Sequence, residues 1–197
     1  MSDDDPVWGG AQKVEQWVGE IRVNLIRLVA ILAFYAHHLF TFYVLKDQVA
    51  PGVHAVMTGI AFAWAALALC LHAGLSRRWN PVGLKFGAIA GDAVMMTALL
   101  LVFGGPKSPF VALYFLLIAS AALRLDLAAV WTATIAAVAG YALLCGHAKW
   151  IVLDASRAPR THQVIFGIAL LCAGLIAGQL VRQARRLAVD YAERVRA

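Results

Sequence analysis

Six histidines are the residues of this 197-residue sequence whose type and setting point to chemistry: His37, His38, His54, His72, His147 and His162. All sit within or beside long apolar runs. Neutral imidazole is the commonest metal ligand and a frequent axial ligand of haem iron. In hydrocarbon it is costly, so it turns to a bundle interior or to water. Two imidazoles on facing helices can clamp a haem, and three or four can hold zinc or copper. The rise of a helix puts His38 ~12 Å below the outer end of the first apolar run. His54 opens the second run, His147 closes the fifth and His162 opens the sixth, all at that same end. Four helices thus carry a histidine in the outer half. His37 is ~100° from His38 around the helix, so one of the two faces inward. His72 belongs to the opposite end. The alternative for His54, His147 and His162 is that they are polar residues at helix ends, where water is near.

Asp92 is the acidic residue well inside an apolar run. It can take a proton, pair with a cation or bond to a quinone; it can equally pair with Arg27, which falls near the same depth. Cys70, Cys145 and Cys172 lie in apolar runs at unrelated spacings, which supports neither a disulfide framework nor a zinc finger. Walker loop, nucleophile elbow, HExxH and a spaced carboxylate pair are missing from the sequence. The expectation is a chain that is not itself an enzyme.

The elements that must position these residues follow from composition. Hydrophobic residues make up 62% and charged residues 14%. An average soluble domain is nearer half apolar and a quarter charged, so a soluble surface of this size would be under-supplied. The net charge of +6 is scattered between apolar runs, which argues for lipid topology and against nucleic acid. Six runs stand out, over 28–45, 53–75, 86–103, 110–123, 127–146 and 164–181. A spanning helix needs ~20 apolar residues. The fourth is short, and is expected to borrow Leu125 and part of the Gly104–Pro109 hairpin, or to sit where the bilayer is pinched. The runs lack the alternation of barrel strands, so helices are expected. Gly83, Gly87 and Gly91, and Gly174 and Gly178, have the spacing of close helix contacts.

Six spans place both termini on one side. Lys13, Arg22, Arg27, Arg77, Arg78, Lys85, Arg124, Arg182, Arg185, Arg186, Arg194 and Arg196 fall there, twelve of the 17 basic residues. Lys46, Lys107, Lys149, Arg157 and Arg160 fall on the other. The excess marks the side of the termini as cytoplasmic, with Trp79 and Trp150 as interfacial anchors. The fold class expected is therefore all-α: an integral membrane bundle of six transmembrane helices, both termini cytoplasmic, with the sixth continuing into a cytoplasmic helix.

Three segments follow: residues 1–22 with an amphipathic helix around Val14, Trp17, Val18 and Ile21; the membrane domain 23–182; and a connecting helix 183–197. The first helix is either interfacial or an extension of the first span. In the last segment Leu180, Ala184, Leu187 and Tyr191 follow a heptad-like spacing that points to a homodimer seam. A basic tail gripping anionic lipid is the alternative.

The run from Arg22-Val23-Asn24-Leu25-Ile26-Arg27 into Phe34-Tyr35-Ala36-His37-His38-Leu39 resembles the six-helix membrane anchor of certain bacterial class III adenylate cyclases. So do Gly105-Pro106-Lys107-Ser108-Pro109-Phe110 with Leu113-Tyr114-Phe115-Leu116, and Pro159-Arg160-Thr161-His162-Gln163 with Gly178-Gln179-Leu180-Val181-Arg182. The Gly-Pro-x-Ser-Pro piece is also similar to sensor histidine kinase membrane domains. The resemblance implies a bacterial inner-membrane sensor and anchor for a cyclase that follows span six. It implies b-type haem under redox or quinone control, with His38, His54, His147 and His162 as ligands. The depths suit one haem, or a zinc or copper site at the outer face, better than two haems. Other expectations are a small lipophilic ligand without cofactor, as in a kinase sensor, or a small transporter.

Overall fold

A computed structural model describes residues 6–44, 51–77, 83–150 and 158–196. Trp79 and Arg78, Lys46 and Arg157 lie outside the described residues. The described chain is all-α. Its helices are α1 (Pro6–Tyr43), α2 (Pro51–Ser76), α3 (Leu84–Val102), α4 (Leu113–Ala122), α5 (Leu127–Trp150) and α6 (Arg160–Arg196). Five of them, α4 excepted, are long and apolar enough to cross a membrane.

Neighbours run α1, α2, α3, α5, α6, with α4 wedged against α3, α5 and α6. The packed interior is therefore not central to all six helices alike. Leu100, Tyr114, Leu117, Ile118, Val130 and Leu144, from α3, α4 and α5, are fully buried. Ala129, Ala133 and Ala137 form a stripe at i, i+4, i+8 on α5, with no exposed surface. Small side chains there let neighbouring backbones approach. The outward faces carry exposed Leu32, Phe62, Leu69, Ile135 and Ile176. An apolar exterior of this extent has no partner in water.

The fourth apolar run departs from expectation. Leu125 does not extend it: its φ is +51°, a left-handed turn position that ends the helix. At the other end Pro109–Ala112 adds a 3₁₀ turn, capped by the Ser108 hydroxyl accepting from the Phe110 amide. Gly104 at φ +88° makes the preceding reversal possible. α4 itself is ten residues, only ~15 Å, and Ala119 is its one exposed residue.

α1 has no break near residue 22, so the amphipathic segment is an extension of the first long helix. α6 likewise runs on past residue 182 without interruption. Of the glycine stripe on α3, only Gly91 meets a neighbour, Leu67 of α2; Gly83 and Gly87 face open space. Gly174 on α6 fits directly against the Thr134 side chain of α5, and Gly178 against Leu127.

A methyl group at position 174 would collide with Thr134. Gly174→Ala should destabilise the protein by about 1–3 kcal/mol in denaturant unfolding from detergent. Combining it with Thr134→Ala should restore most of the loss.

Candidate ligand cleft and its buried clamp

At one end of the bundle, α1 and α2 bring His38 and His54 together. Nε2 of His38 lies 3.0 Å from Nδ1 of His54, so one ring donates and the other accepts. His38 is buried and His54 half-buried. The positions follow from helix periodicity: Tyr35, His38 and Phe42 share a face of α1 at i, i+3, i+7. Phe42 stacks on the His54 ring at 4.0 Å between centroids, nearly parallel. Phe103, the residue that follows α3, meets His38 edge-on. Below the pair opens a cleft lined by Phe34, Tyr35, His37, His38, Trp64 and Phe110, among others. Phe110 arrives from the 3₁₀ turn that precedes α4.

The four expected ligands divide. His147 is half-buried in the last turn of α5, and His162 is exposed in the first turn of α6, stacked on Phe166. Among the described residues neither touches His38 or His54, because α5 and α6 pack away from the α1–α2 pair, across α3. His37 is exposed at the mouth of the cleft, against Phe110. His72 is exposed on α2 and takes no part. Among the described residues, no three His, Cys, Asp or Glu side chains are grouped as metal ligands. Two imidazoles on one iron face each other across it, with nitrogens ~4 Å apart at metal–nitrogen distances of ~2 Å. Here the two nitrogens are bonded to each other. In this arrangement the residues fit neither a haem nor a zinc or copper site.

Beneath the cleft lies a buried polar clamp. Arg27 of α1 donates through Nε and Nη2 to the two oxygens of Asp92 on α3, both at 2.7 Å. Trp64 of α2 donates its indole N–H to Asp92 Oδ1 at 2.9 Å. Arg27 Nη1 also reaches Asn24 Oδ1, and Asn24 Nδ2 donates to the Ala68 carbonyl of α2. Pairing of Asp92 with Arg27 was one of the two sequence expectations. The roles of Trp64 and Asn24 were not foreseen, although a buried indole N–H always needs an acceptor. Trp64 lines the cleft above and the small cavity around Arg27 and Asp92 below.

At the far end, the four residues between α4 and α5 gather three other helices. Arg124 Nε lies 2.9 Å from Glu20 of α1, close as an ion pair but outside hydrogen-bond geometry. Burial pushes the Arg124 guanidinium below its usual value, with Glu20 opposing. The Leu125 carbonyl accepts from Arg185 Nε of α6 at 2.7 Å. Asp126 pairs with Lys85 of α3 and caps α5 by accepting from the Ala128 amide. Burial raises the Asp126 carboxyl, but Lys85 and the amides of Ala128 and Ala129 outweigh it and hold it below the usual carboxylate range.

No family model, curated protein or solved structure matches the chain.

Two outcomes follow. Asp92→Leu or Arg27→Leu alone strands a buried charge or its partner and should cost about 3–5 kcal/mol in unfolding from detergent; the double replacement should recover most of it. For Asp126 the folded value is depressed, so its stabilisation is full above the unfolded value of ~3.9 and is lost as pH falls through the folded one. The thermal midpoint should drop across that acid window, and less steeply in Asp126→Asn.

Proposed function

We propose that the chain is a membrane anchor and sensory domain of the bacterial inner membrane, with the basic end in the cytoplasm. It receives its signal at the cleft beside His38 and His54 and delivers it through α6 to a cytoplasmic output. The observation that carries this reading is the run of α6. Its 37 residues extend ~56 Å, against ~30 Å of hydrocarbon. From Arg182 on, nearly every described side chain is exposed. A helix that leaves the bundle without a break is suited to pass on a shift or rotation.

The tie at Leu125 gives the shift a source. α1 carries His38, Arg27 and Glu20 on one rigid rod, ~27 Å from first to last. A change at His38 moves Arg27 against Asp92 and Glu20 against Arg124. Arg124 adjoins Leu125, whose carbonyl holds Arg185 of α6. The resemblance of the sequence makes an adenylate cyclase the output; a histidine kinase would read the same helix. Leu187 and Tyr191, exposed by 68% and 72%, offer a seam to a second copy, since the part beyond the bilayer has no lipid to cover it, and Leu180 continues that seam at the edge of the span. Transport is less well supported, because Asp92, the acid such a path needs, is bonded by Arg27 and Trp64. A haem b, zinc or copper ion on His38, His54, His147 and His162 would require α1–α2 and α5–α6 to rearrange. A small lipophilic ligand requires no such change.

Hydrogen exchange in nanodiscs tests the reading. Ala61→Phe fills the cleft from α2 and should change exchange over residues 182–191 by about threefold or more. Leu69→Phe, on the outward face of the same helix, should not. Equal profiles for the two variants would contradict it.

A further inference from the structure

The cleft is a narrow, partly open slot between α1, α2 and the segments around Phe103 and Phe110. Its walls include the rings of Phe34, Tyr35, Trp64, Phe103 and Phe110. Phe110 stands edge-to-face against Phe34 and Phe103, with centroids 5.6 and 4.9 Å away. A slot bounded by aromatic rings suits a flat aromatic body.

Its polar chemistry is narrower. Among the described residues, the ionisable groups that can meet a ligand there are the imidazoles of His37 and His38 and the phenol of Tyr35, with no carboxylate or ammonium in the lining. Among the described residues a cation would find no counter-charge, since Asp92 lies beyond Trp64 and is already paired with Arg27. A permanent anion would have to shed its hydration to reach an apolar slot, which is costly. A weak acid enters in its neutral form instead, at the smaller cost of taking up a proton at the membrane surface. Once inside it can pass its proton to the buried imidazole. The acid O–H bond breaks, an imidazole N–H forms, and the resulting ion pair carries no net charge. No electron changes hands.

His38 is equipped to hold that proton. As an imidazolium it donates through Nε2 to Nδ1 of His54, a charge-assisted hydrogen bond stronger than a neutral one. Phe42 covers one face of His54 and shields the bond from water. Among the described residues, the titratable groups that face His38 are His37 and Tyr35 on its own helix and His54 from α2, while the turn after α3 presents the Phe103 ring. Resting on the reading of this cleft as the receiving site, we propose that its ligand is a membrane-soluble weak acid with a flat aromatic body, whose proton is held by the His38–His54 pair.

The test uses the full chain in nanodiscs with two probes, p-butylbenzoic acid and its uncharged isostere p-butylbenzamide. Calorimetry in buffers of different ionisation enthalpy reads both affinity and proton uptake. Near neutral pH the acid is ionised in water, so its binding should draw in about one proton per molecule, and amide binding none. The acid should bind about tenfold more tightly or better. His38→Gln should abolish the preference and the uptake while keeping amide affinity. His54→Leu should weaken the acid about tenfold and leave the amide unchanged. Equal binding of acid and amide without proton uptake would overturn the acid class and leave the cleft as receiving site. A His38→Gln protein that keeps the preference would overturn the role of the pair. Failure of both probes to saturate a protein that still melts cooperatively would overturn the ligand class and the receiving site together.

Discussion

A guanidinium and a carboxylate removed from water must satisfy each other completely, and this bundle is arranged around one such pair. Arg27 and Asp92 are exposed by only 7% and 5%. Each lone charge at that depth would cost several kcal/mol or more. The geometry meets the demand: two parallel bonds between fork and carboxylate, an indole N–H on one oxygen and an amide on the remaining guanidinium nitrogen. Because the four side chains come from α1, α2 and α3, satisfying the pair fixes the relative height and rotation of all three helices. That constraint places His38 opposite His54 in register, eleven residues above Arg27 and ten before Trp64 along their chains.

The other half of the bundle is held differently. α3, α4, α5 and α6 meet through small residues and close contacts: the alanine stripe of α5, Gly140 against Thr97 and Tyr114, and Gly174 against Thr134. Such packing is short-range and tolerates no added volume. The polar half can change state by exchanging a proton or a partner, whereas the packed half can only fit or fail to fit. The proposed receiving site among α1, α2 and α3 and the proposed output on α6 would divide these properties between the two halves. The turn from Arg124 to Asp126 is where they join, through Glu20, Lys85 and Arg185.

Much of the fold was legible in the sequence because apolar length is read directly from composition. Five runs became long helices, and α6 ran on as its uninterrupted pattern implied. The pairing of Arg27 with Asp92 was legible because a lone buried acid limits its own partners. The fourth run was misjudged at Leu125, where a left-handed backbone angle leaves no mark in hydropathy. The glycine spacing on α3 gave close contact at Gly91 alone, since spacing identifies a face without saying what lies against it. The histidine site was half legible. Position along each helix follows from residue count, but it does not reveal which helices are neighbours, and α5 and α6 pack away from α1. Only His38 and His54 therefore met. Asn24, Trp64 and Phe42 were invisible as participants because their roles depend on contacts between helices.

The proposed link from the histidine end to α6 runs along α1 and through its buried clamp. A double-mutant cycle in unfolding between His38→Gln and Arg185→Ala tests it most directly. Sites so far apart, with no shared partner, ordinarily add within about 0.3–0.5 kcal/mol. A coupling of about 1 kcal/mol is expected, and it should vanish when Arg27 and Asp92 are both replaced by Leu. Strict additivity with the clamp intact would contradict it.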